Sequence, residues 1–198
     1  MAKKVAVLLA EGFEEVEAIT PIDYLRRADI EVTVAAAGNE LTIAGSHSIP
    51  VKADVLLSDL AGLGGASASV NAAAFDAVLI PGGLKGAKNI ASSAEAGALL
   101  KDMAAAGKWV CAICAAPAVV LYPLGLLAGK RFTCYPGLEE DVKGATWSKD
   151  SVVVDANVGG GGFITSRAAG TAGLFAIAVI EQLLSKADAK KIAQSVLL

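Results

Sequence analysis

The stretch KKVAVLLAEGFEEVEAITPIDYLRRADIEVTVAAAG, residues 3–38, decides the fold of this chain. It opens and closes with short apolar runs, residues 3–10 and 30–38, which have the length and composition of buried strands. Between them, apolar side chains recur at the spacing of one helix face: Val16, Ile19, Ile22 and Leu25. A strand–helix–strand unit requires a parallel strand pair joined by a right-handed crossover. Pro21 lies inside the helical pattern and predicts a kink or a restart of that helix.

The rest of the chain continues the alternation of strands and helices. Further strands are predicted at residues 75–83, 108–113, 130–136, 151–158 and 163–166. Further helices are predicted at residues 93–108, 114–125, 170–184 and 186–198. Ser93 is a predicted N-cap, the small-residue stretch 61–74 a predicted surface loop, and the run GGGG at 159–162 a predicted turn or bulge. The pattern predicts one α/β domain, residues 1–198, with a mostly parallel sheet covered by helices on both faces.

The composition excludes several classes of protein. Of the 198 residues, 55% are hydrophobic and 19% charged, and the net charge of −3 argues against a nucleic-acid partner. No apolar run approaches the roughly 18 residues of a membrane span, so we expect no membrane partner. The N-terminal apolar run is short and is followed at once by acidic residues, which argues against a signal peptide. Three cysteines do not make a disulfide framework, and a reducing cytoplasm is the predicted location.

Two of the cysteines lie in VCAICAAPAVV, residues 110–120, which begins as a strand and ends as a helix. Cys111 and Cys114 have the spacing of a C-x-x-C redox pair. Residues three apart in a strand are roughly 10 Å apart, whereas a disulfide needs Cα atoms within about 7 Å. Cys111 is therefore predicted to be a small buried core residue.

Cys114 differs because it lies where the strand becomes a helix. Its small neighbours, including Ala115, suit the sharp turn of a nucleophile elbow. A helix start also offers free N–H groups and a positive dipole end, which would lower the pKa of the thiol. The alternative is a buried spacer in an alanine-rich helix start, and the local sequence leaves both interpretations open.

Ligands of open α/β sheets bind at the carboxyl ends of the strands, and two other strand exits meet Cys114 there. The exit EGFEEVE, residues 11–17, carries Glu17, which is placed to turn inward beside the thiol; burial and like charge would raise the pKa of its carboxyl group. The exit PGGLKGAKN, residues 81–89, offers bare backbone. The amides of Gly83 and Ala115 are therefore candidates for an oxyanion hole. An ordinary tight turn is the alternative for this Pro-Gly-Gly.

Four stretches in this order resemble the DJ-1/PfpI (ThiJ/PfpI) superfamily, and within it the DJ-1/YajL branch. They are AEGFEEVEAITPIDYLRRADIEVTVA, DAVLIPGGLKGAKN, AICAAPAVVL and ITSRAAGTAGLFAIAVIEQLL. The resemblance implies a flavodoxin-like three-layer sandwich that forms homodimers, with Cys114 as the reactive thiol and Glu17 as its carboxylic acid partner. It also implies Gly82, Gly83 and Ala115 as surrounding backbone donors. Family members are reported as cofactor-independent glyoxalases, deglycases, oxidative-stress sensors and chaperones, and a different branch as proteases.

The chain departs from the pattern of this family at three positions. Tyr135 stands where many members of the branch place a histidine facing the cysteine, and a phenol is a poor base near neutral pH. Ala115 stands where the protease branch has a histidine after the nucleophile, which argues against proteolysis. His47 lies in a stretch where relatives often carry an arginine that reaches the partner subunit's site. It is either a solvated loop residue or a group that tunes the partner subunit's Cys114.

These features predict an enzyme that uses Cys114 to attack a small reactive dicarbonyl such as methylglyoxal, with Glu17 moving protons, and that needs neither a cofactor nor a metal. The alternative is an oxidative-stress sensor or redox-regulated chaperone, in which Cys114 is oxidised without turnover. A nucleotide- or flavin-binding module is disfavoured, because the first strand exit lacks G-x-G-x-x-G and its carboxylates would repel a phosphate.

Overall fold

The structure, a computed structural model, describes residues 2–60 and 72–198. The strands of these residues are β1 Lys4–Leu9, β2 Glu31–Ala36, β3 Thr42–Ala44, β4 Pro50–Lys52, β5 Val55–Leu56, β6 Ala77–Ile80, β7 Trp109–Ile113, β8 Arg131–Phe132, β9 Thr146–Trp147, β10 Val152–Ala156 and β11 Gly162–Ser166. The α-helices are α1 Glu15–Arg27, α2 Leu57–Leu60, α3 Leu84–Ser92, α4 Ala94–Ala105, α5 Ala172–Leu183 and α6 Lys186–Ser195. Within these residues, no helix has the length and apolar character needed to cross a membrane.

Seven of the strands form one twisted sheet in the order β10-β11-β7-β6-β1-β2-β5. Neighbouring strands run parallel except β10, which pairs antiparallel with β11 at one edge. The β10–β11 connection includes Gly159, Gly160 and Gly161, all with positive φ, so the predicted GGGG turn is confirmed. The opening strand–helix–strand unit is parallel as predicted, with Val5 paired to Val32.

Helices cover both faces of this sheet, as the alternation of strands and helices predicted. Side chains alternate along β1, so that Ala6 and Leu8 face one core while Val5 and Val7 face the other. The first core packs against α2, α3 and α4, and the second against α1, α5 and α6. The architecture is a mostly parallel, flavodoxin-like α/β sandwich, and the predicted fold class is confirmed.

The helix predicted over residues 114–125 is present only in part, and it is not a regular α-helix. The chain instead forms a five-residue π-helical segment, Pro117–Leu121, which is followed by turns. The N–H of Tyr122 donates to the carbonyl of Pro117, five residues back. Pro123 has no N–H with which to extend a regular helix, and Gly125 adopts a positive φ that ends the segment.

Pro21 does not interrupt α1, which runs as one helix from Glu15 to Arg27, so the predicted restart is wrong. The proline is buried with the apolar face of the helix. Burial of this face against the sheet outweighs the backbone hydrogen bond that a proline inside a helix removes.

Residues 39–60 are more regular than their sequence indicates. They contain the antiparallel hairpin β3–β4, the short strand β5 and the one-turn helix α2. Most of the predicted loop at 61–74 lies outside the described residues, and its last three, Ala72–Ala74, form a single 3₁₀ turn.

Candidate active site

The site lies where three neighbouring parallel strands end. In the sheet β7, β6 and β1 are adjacent, so their carboxyl ends share one edge. Cys114 follows β7, Gly82 and Gly83 follow β6, and Glu17 lies in the first turn of the helix that follows β1. The convergence of the three exits, which was predicted from the sequence, is therefore present in the fold.

Cys114 forms a sharp elbow at the end of β7. Its φ is +63°, in the left-handed region that residues with a Cβ seldom occupy. Two backbone hydrogen bonds hold this conformation: the Cys114 N–H donates to the Ser166 carbonyl at 2.9 Å, and the Tyr135 N–H donates to the Cys114 carbonyl at 2.8 Å. The thiol is partly exposed. A strained backbone that its neighbours fix on both sides is typical of a functional position.

Glu17 is buried beside this thiol, with an exposed fraction of 1%, and shares a hydrogen bond with Cys114. Its Oε2 accepts the Gly82 N–H at 2.8 Å, and its carboxylate also accepts the N–H of Ala169. Gly82 has no room for a side chain, since a Cβ there would lie 2.5 Å from both the Cys114 Cβ and the Glu17 Oε2. The glycine therefore lets the carboxyl group and the thiol come into contact.

The two amides proposed for an oxyanion hole both point at the Cys114 sulfur. The N–H groups of Gly83 and Ala115 donate to it, and Gly83 reaches this orientation with a φ of +78°. Gly82 differs from the expectation: its N–H is taken by Glu17 and does not face the sulfur. The two successive glycines thus serve different members of the pair.

Burial shapes the ionisation of the pair. Burial raises the pKa of Glu17 to about 7, against hydrogen bonds from Cys114 and Gly82 that lower it. Burial and the neighbouring Glu17 carboxylate raise the pKa of Cys114 to about 12, although the Gly83 and Ala115 amides oppose the shift. The thiol pKa therefore lies above its ordinary value, not below it as the helix start predicted: burial and the Glu17 carboxylate outweigh the Gly83 and Ala115 amides.

The other two cysteines take no part in this arrangement. Cys111 and Cys134 are free and fully buried, which confirms the core position predicted for Cys111. Burial raises the pKa of the Cys111 thiol far above its usual range, and that of Cys134 to about 12. Cys111 lies inside β7, so the redox-pair interpretation finds no support in the geometry.

A cavity of about 580 Å³ lies beside the segments that hold the pair. It is lined by Tyr135, Pro136, Arg167, Ala168, Gly170 and Thr171. One hydrogen bond already described, from the Tyr135 N–H to the Cys114 carbonyl, joins a wall of this cavity to the site, and Ala169, which bonds to Glu17, lies between the lining residues Ala168 and Gly170. The Tyr135 side chain is about half exposed at this cavity.

The sequence did not predict that residues 166–171 hold the reactive pair. The Ser166 carbonyl fixes Cys114, the Ala169 N–H binds Glu17, and the Thr171 hydroxyl lies 2.7 Å from that of Ser166. The available signal was the position of this stretch directly after β11, at the same sheet edge as the other exits. Its contacts are made by backbone groups, which side-chain chemistry does not reveal.

His47 lies apart from the chain's own Cys114. Its Nδ1 is 3.0 Å from the Glu15 Oε2, and its N–H donates to the Glu15 Oε1 at 2.7 Å. Burial would raise the pKa of Glu15, but hydrogen bonds from His47, the backbone and Ser46 lower this pKa to about 2. In turn, the hydrogen bond to Glu15 and the charges of Glu14 and Glu15 raise the pKa of His47. Glu14, Glu15 and His47 each offer one possible metal-ligand atom, and these atoms lie within 4.8 Å of one another. The sequence did not predict this cluster, whose spacing could hold a metal ion.

Comparisons with known proteins find similar sequences and structures over almost the whole chain. The model of the DJ-1/PfpI family matches residues 3–182. Protein DJ-1 homolog A of Arabidopsis thaliana is 38% identical over 194 residues, which are 98% of this chain and 46% of that protein, so the chain spans less than half of its length. A protein named a deglycase from Pyrococcus abyssi is 32% identical over 169 residues, 84% of this chain and 91% of that protein. The structure of oxidized Toxoplasma gondii DJ-1 is 37% identical, with a TM-score of 0.89 over 99% of this chain and 98% of that one.

Proposed function

The chain belongs to the DJ-1/PfpI family, and from this premise we propose that it is a cysteine-dependent, cofactor-independent enzyme of the glyoxalase or deglycase type. Its substrates are reactive dicarbonyls such as methylglyoxal, or the adducts that these form on other molecules. The contact between the partly exposed Cys114 and the buried Glu17, with two amides aimed at the sulfur, carries this proposal. The deglycase of Pyrococcus abyssi supports it from within the family.

The first step of the proposed reaction joins the sulfur to the substrate. The Cys114 sulfur attacks the aldehyde carbon, the carbonyl π electrons move to oxygen, and the thiol proton passes through Glu17 to that oxygen. The product is a hemithioacetal. The N–H groups of Gly83 and Ala115 lie next to the sulfur, where they can stabilise the developing negative charge.

The second step moves hydrogen between adjacent carbons. Glu17, as a carboxylate, removes the proton from the carbon bonded to sulfur, and a proton returns to the neighbouring carbon through the enediol. The result is a thioester of a 2-hydroxy acid. Water then cleaves the carbon–sulfur bond, which releases the hydroxy acid and restores the thiol, so the net change is the addition of one water molecule. A pKa of about 7 suits a group that must both accept and donate protons near neutral pH.

Lactate formation from methylglyoxal without glutathione tests this proposal. We expect activity in the wild type, none in Cys114→Ser, and wild-type activity in Cys111→Ser, because Cys111 is a core residue outside the site. The Cys111 variant is the matched control for loss of a thiol from the same strand. Lactate formation that survives in Cys114→Ser would rule out the nucleophile.

The second candidate function is an oxidative-stress sensor or redox-regulated chaperone, and the partial exposure of Cys114 beside N–H donors favours it. In this case low concentrations of peroxide would convert Cys114 to a sulfinate, and protonated Glu17 would donate a hydrogen bond to it. Mass spectrometry after peroxide treatment would show a sulfinate on Cys114 and none on Cys111 or Cys134. That result, in a protein with no turnover of methylglyoxal, would replace the enzyme proposal by the sensor.

We also propose that the chain forms a homodimer through the outer face of α1. Val16 and Ile19 are 48% and 43% exposed on this face, and Ile49, which is 56% exposed, is tied to the same helix by its N–H bond to Glu15. Exposed apolar side chains that lie together are typical of interaction surfaces. His47 lies beside them, so a dimer through this face would bring it toward the partner subunit, as the sequence-based hypothesis requires.

A further inference from the structure

Arg167 carries a positive charge at the cavity beside the reactive pair. Its guanidinium donates to one backbone carbonyl, that of Lys149, at 3.1 Å. Within residues 2–60 and 72–198, no carboxylate lies within 4 Å of the guanidinium, whereas Arg26, Arg27 and Arg131 each have an acidic partner. Most of the donors of Arg167 are therefore available to a bound molecule.

The cavity has room for such a molecule. Its volume is about 580 Å³, and at Gly170 an added Cβ would meet no atom within 4 Å. Tyr135 lines the same cavity and has its side chain about half exposed there. An arginine fork and a phenol at one opening can both donate hydrogen bonds to an anionic oxygen group.

Arg167 is close in sequence to two residues that bind Cys114 and Glu17. Ser166, the preceding residue, accepts the Cys114 N–H, and Ala169, two residues later, donates its N–H to Glu17. A substrate held at the Cys114 sulfur can extend toward this segment and its cavity. The ionised Glu17 carboxylate would repel an anionic substrate, so a fixed cation is needed to attract one.

We propose that Arg167, with Tyr135, forms a subsite for an anionic oxygen group, which selects carbonyl substrates that bear a carboxylate or phosphate. The planar guanidinium fork matches the geometry of both groups. The identity of the ligand as a carbonyl substrate rests on the function proposed above, whereas the anion selectivity at Cys114 does not depend on turnover. Arg167 touches the substrate and determines specificity, and Cys114 and Glu17 carry out the reaction.

Alkylation of Cys114 by two reagents of similar size tests the anion subsite without any turnover. Iodoacetate is anionic and iodoacetamide is neutral, and the ratio of their rate constants, followed at Cys114 by mass spectrometry, measures anion preference. We expect Arg167→Gln to lower this ratio by about tenfold and Arg167→Lys to lower it less. Arg27→Gln is the matched control: it removes the same charge ten residues beyond Glu17 on α1, and should leave the ratio unchanged. A ratio in Arg167→Gln within about twofold of the wild type would overturn the proposal.

The second test compares the steady-state kinetics of an anionic and a neutral substrate. 4,5-Dioxopentanoate, an α-oxoaldehyde with a carboxylate tail, is compared with neutral methylglyoxal. We expect Arg167→Gln to raise KM for the anionic substrate about tenfold, with kcat for both substrates and KM for methylglyoxal within about twofold of the wild type. Equal losses on both substrates would contradict a role in anion recognition. If the wild type turns over neither substrate, the proposed enzyme function fails, and the alkylation ratio alone decides for or against the subsite. Competition of iodoacetate by inorganic phosphate or by acetate then shows which anion the subsite prefers.

Discussion

Glu17 and Cys114 form one ionising unit, and the pH dependence of the proposed reaction follows from it. Glu17 must be ionised to accept the thiol proton, and burial raises its pKa to about 7. We therefore expect kcat/KM for methylglyoxal to be low at pH 5.5 and to rise tenfold or more through an apparent pKa near 7. Glu17→Gln should remove this inflection and lower kcat by about two to four orders of magnitude. A rate that stays flat between pH 5.5 and 8.5 would mean that the thiolate already exists at low pH beside a protonated Glu17.

The same burial makes Glu17 a source of instability at high pH. The folded protein holds the carboxyl proton with a pKa of about 7, above the ordinary value of 4.5. Between these two pH values the Glu17 carboxyl group binds more protons in the folded state than in the unfolded chain. The contribution of Glu17 to stability is therefore most favourable below about pH 4.5 and becomes less favourable as the pH rises through 7. The total loss is roughly 3 kcal/mol. Glu17→Gln lacks this loss, and should have the larger free energy of unfolding at pH 8.5 in urea titrations but not at pH 4.5. A variant that is no more stable than the wild type at pH 8.5 would contradict this account.

The inward position of Glu17 was predicted, but not for the reason that the apolar pattern offered. Val16, which the pattern placed on the buried side of α1, is exposed, and Glu17 instead lies on the buried face of the helix with Ile22. Gly82 was not predictable in the same way. The Gly82 N–H donates to Glu17, whereas the Gly83 N–H donates to the Cys114 sulfur. The positive φ of Gly83, +78°, turns the second N–H toward a different partner. Backbone direction in a Pro-Gly-Gly turn is fixed by the surrounding fold.

The hairpin β3–β4 is tied to α1 by a charged contact between elements. The connection residues Ser46 and His47 hydrogen bond to Glu15, which stays ionised because these contacts lower its pKa to about 2 despite burial. The hydrogen bond to Glu15 raises the pKa of His47, so protonated His47 stabilises the fold below about pH 6.5 and the contribution is lost as the pH rises through the raised value.

We expect His47→Gln to lower Tm at pH 6 and to leave it close to that of the wild type at pH 9. Glutamine keeps the backbone N–H that binds Glu15, so the variant removes the ring and its charge alone. Differential scanning calorimetry of both proteins at the two pH values provides the measurement. A Tm difference that is the same at pH 6 and pH 9 would exclude a charge effect.

At the level of elements, the sequence predicted those with long apolar patterns. The strands β1, β2, β6 and β7 and the helices α4 and α5 lie close to their predicted positions, because burial against the sheet imposes their periodicity. The segment after Cys114 was predicted incorrectly, since its apolar residues also suit a buried π-helical turn and the choice depends on Pro123 and Gly125. The strand predicted at residues 130–136 is only the two-residue β8, and the two-residue strands β5 and β9 were missed because so few residues carry no periodic signal.

In the whole molecule, the sheet edge that carries the candidate site lies next to α1, whose outer face we propose as the dimer interface. The strand order brings β1, β6 and β7 together, which places the candidate site in the interior of the sheet edge and α1 beside it. This arrangement could be predicted from the sequence, since short crossovers of one hand leave few orders open for the first strands. The exposed face of α1 that the proposed dimer uses could not, because the helical pattern placed Val16 and Ile19 on the buried side.

The dimer proposal predicts a mass in solution of twice the 19.9 kDa of one chain. Ile19→Lys places a charge on the exposed face of α1, where desolvating it in an interface would weaken association by at least tenfold. Val158→Lys is the matched control, because Val158 is fully exposed in the β10–β11 connection, away from this face. Sedimentation velocity at micromolar concentration should give a dimer for the wild type and for Val158→Lys, and a monomer for Ile19→Lys. His47→Ala, compared at the same concentrations, should shift the pH profile of Cys114 alkylation only in the dimeric proteins, if the ring acts on the partner subunit's site as proposed. A wild type that sediments as a monomer would exclude both the interface and this role of His47.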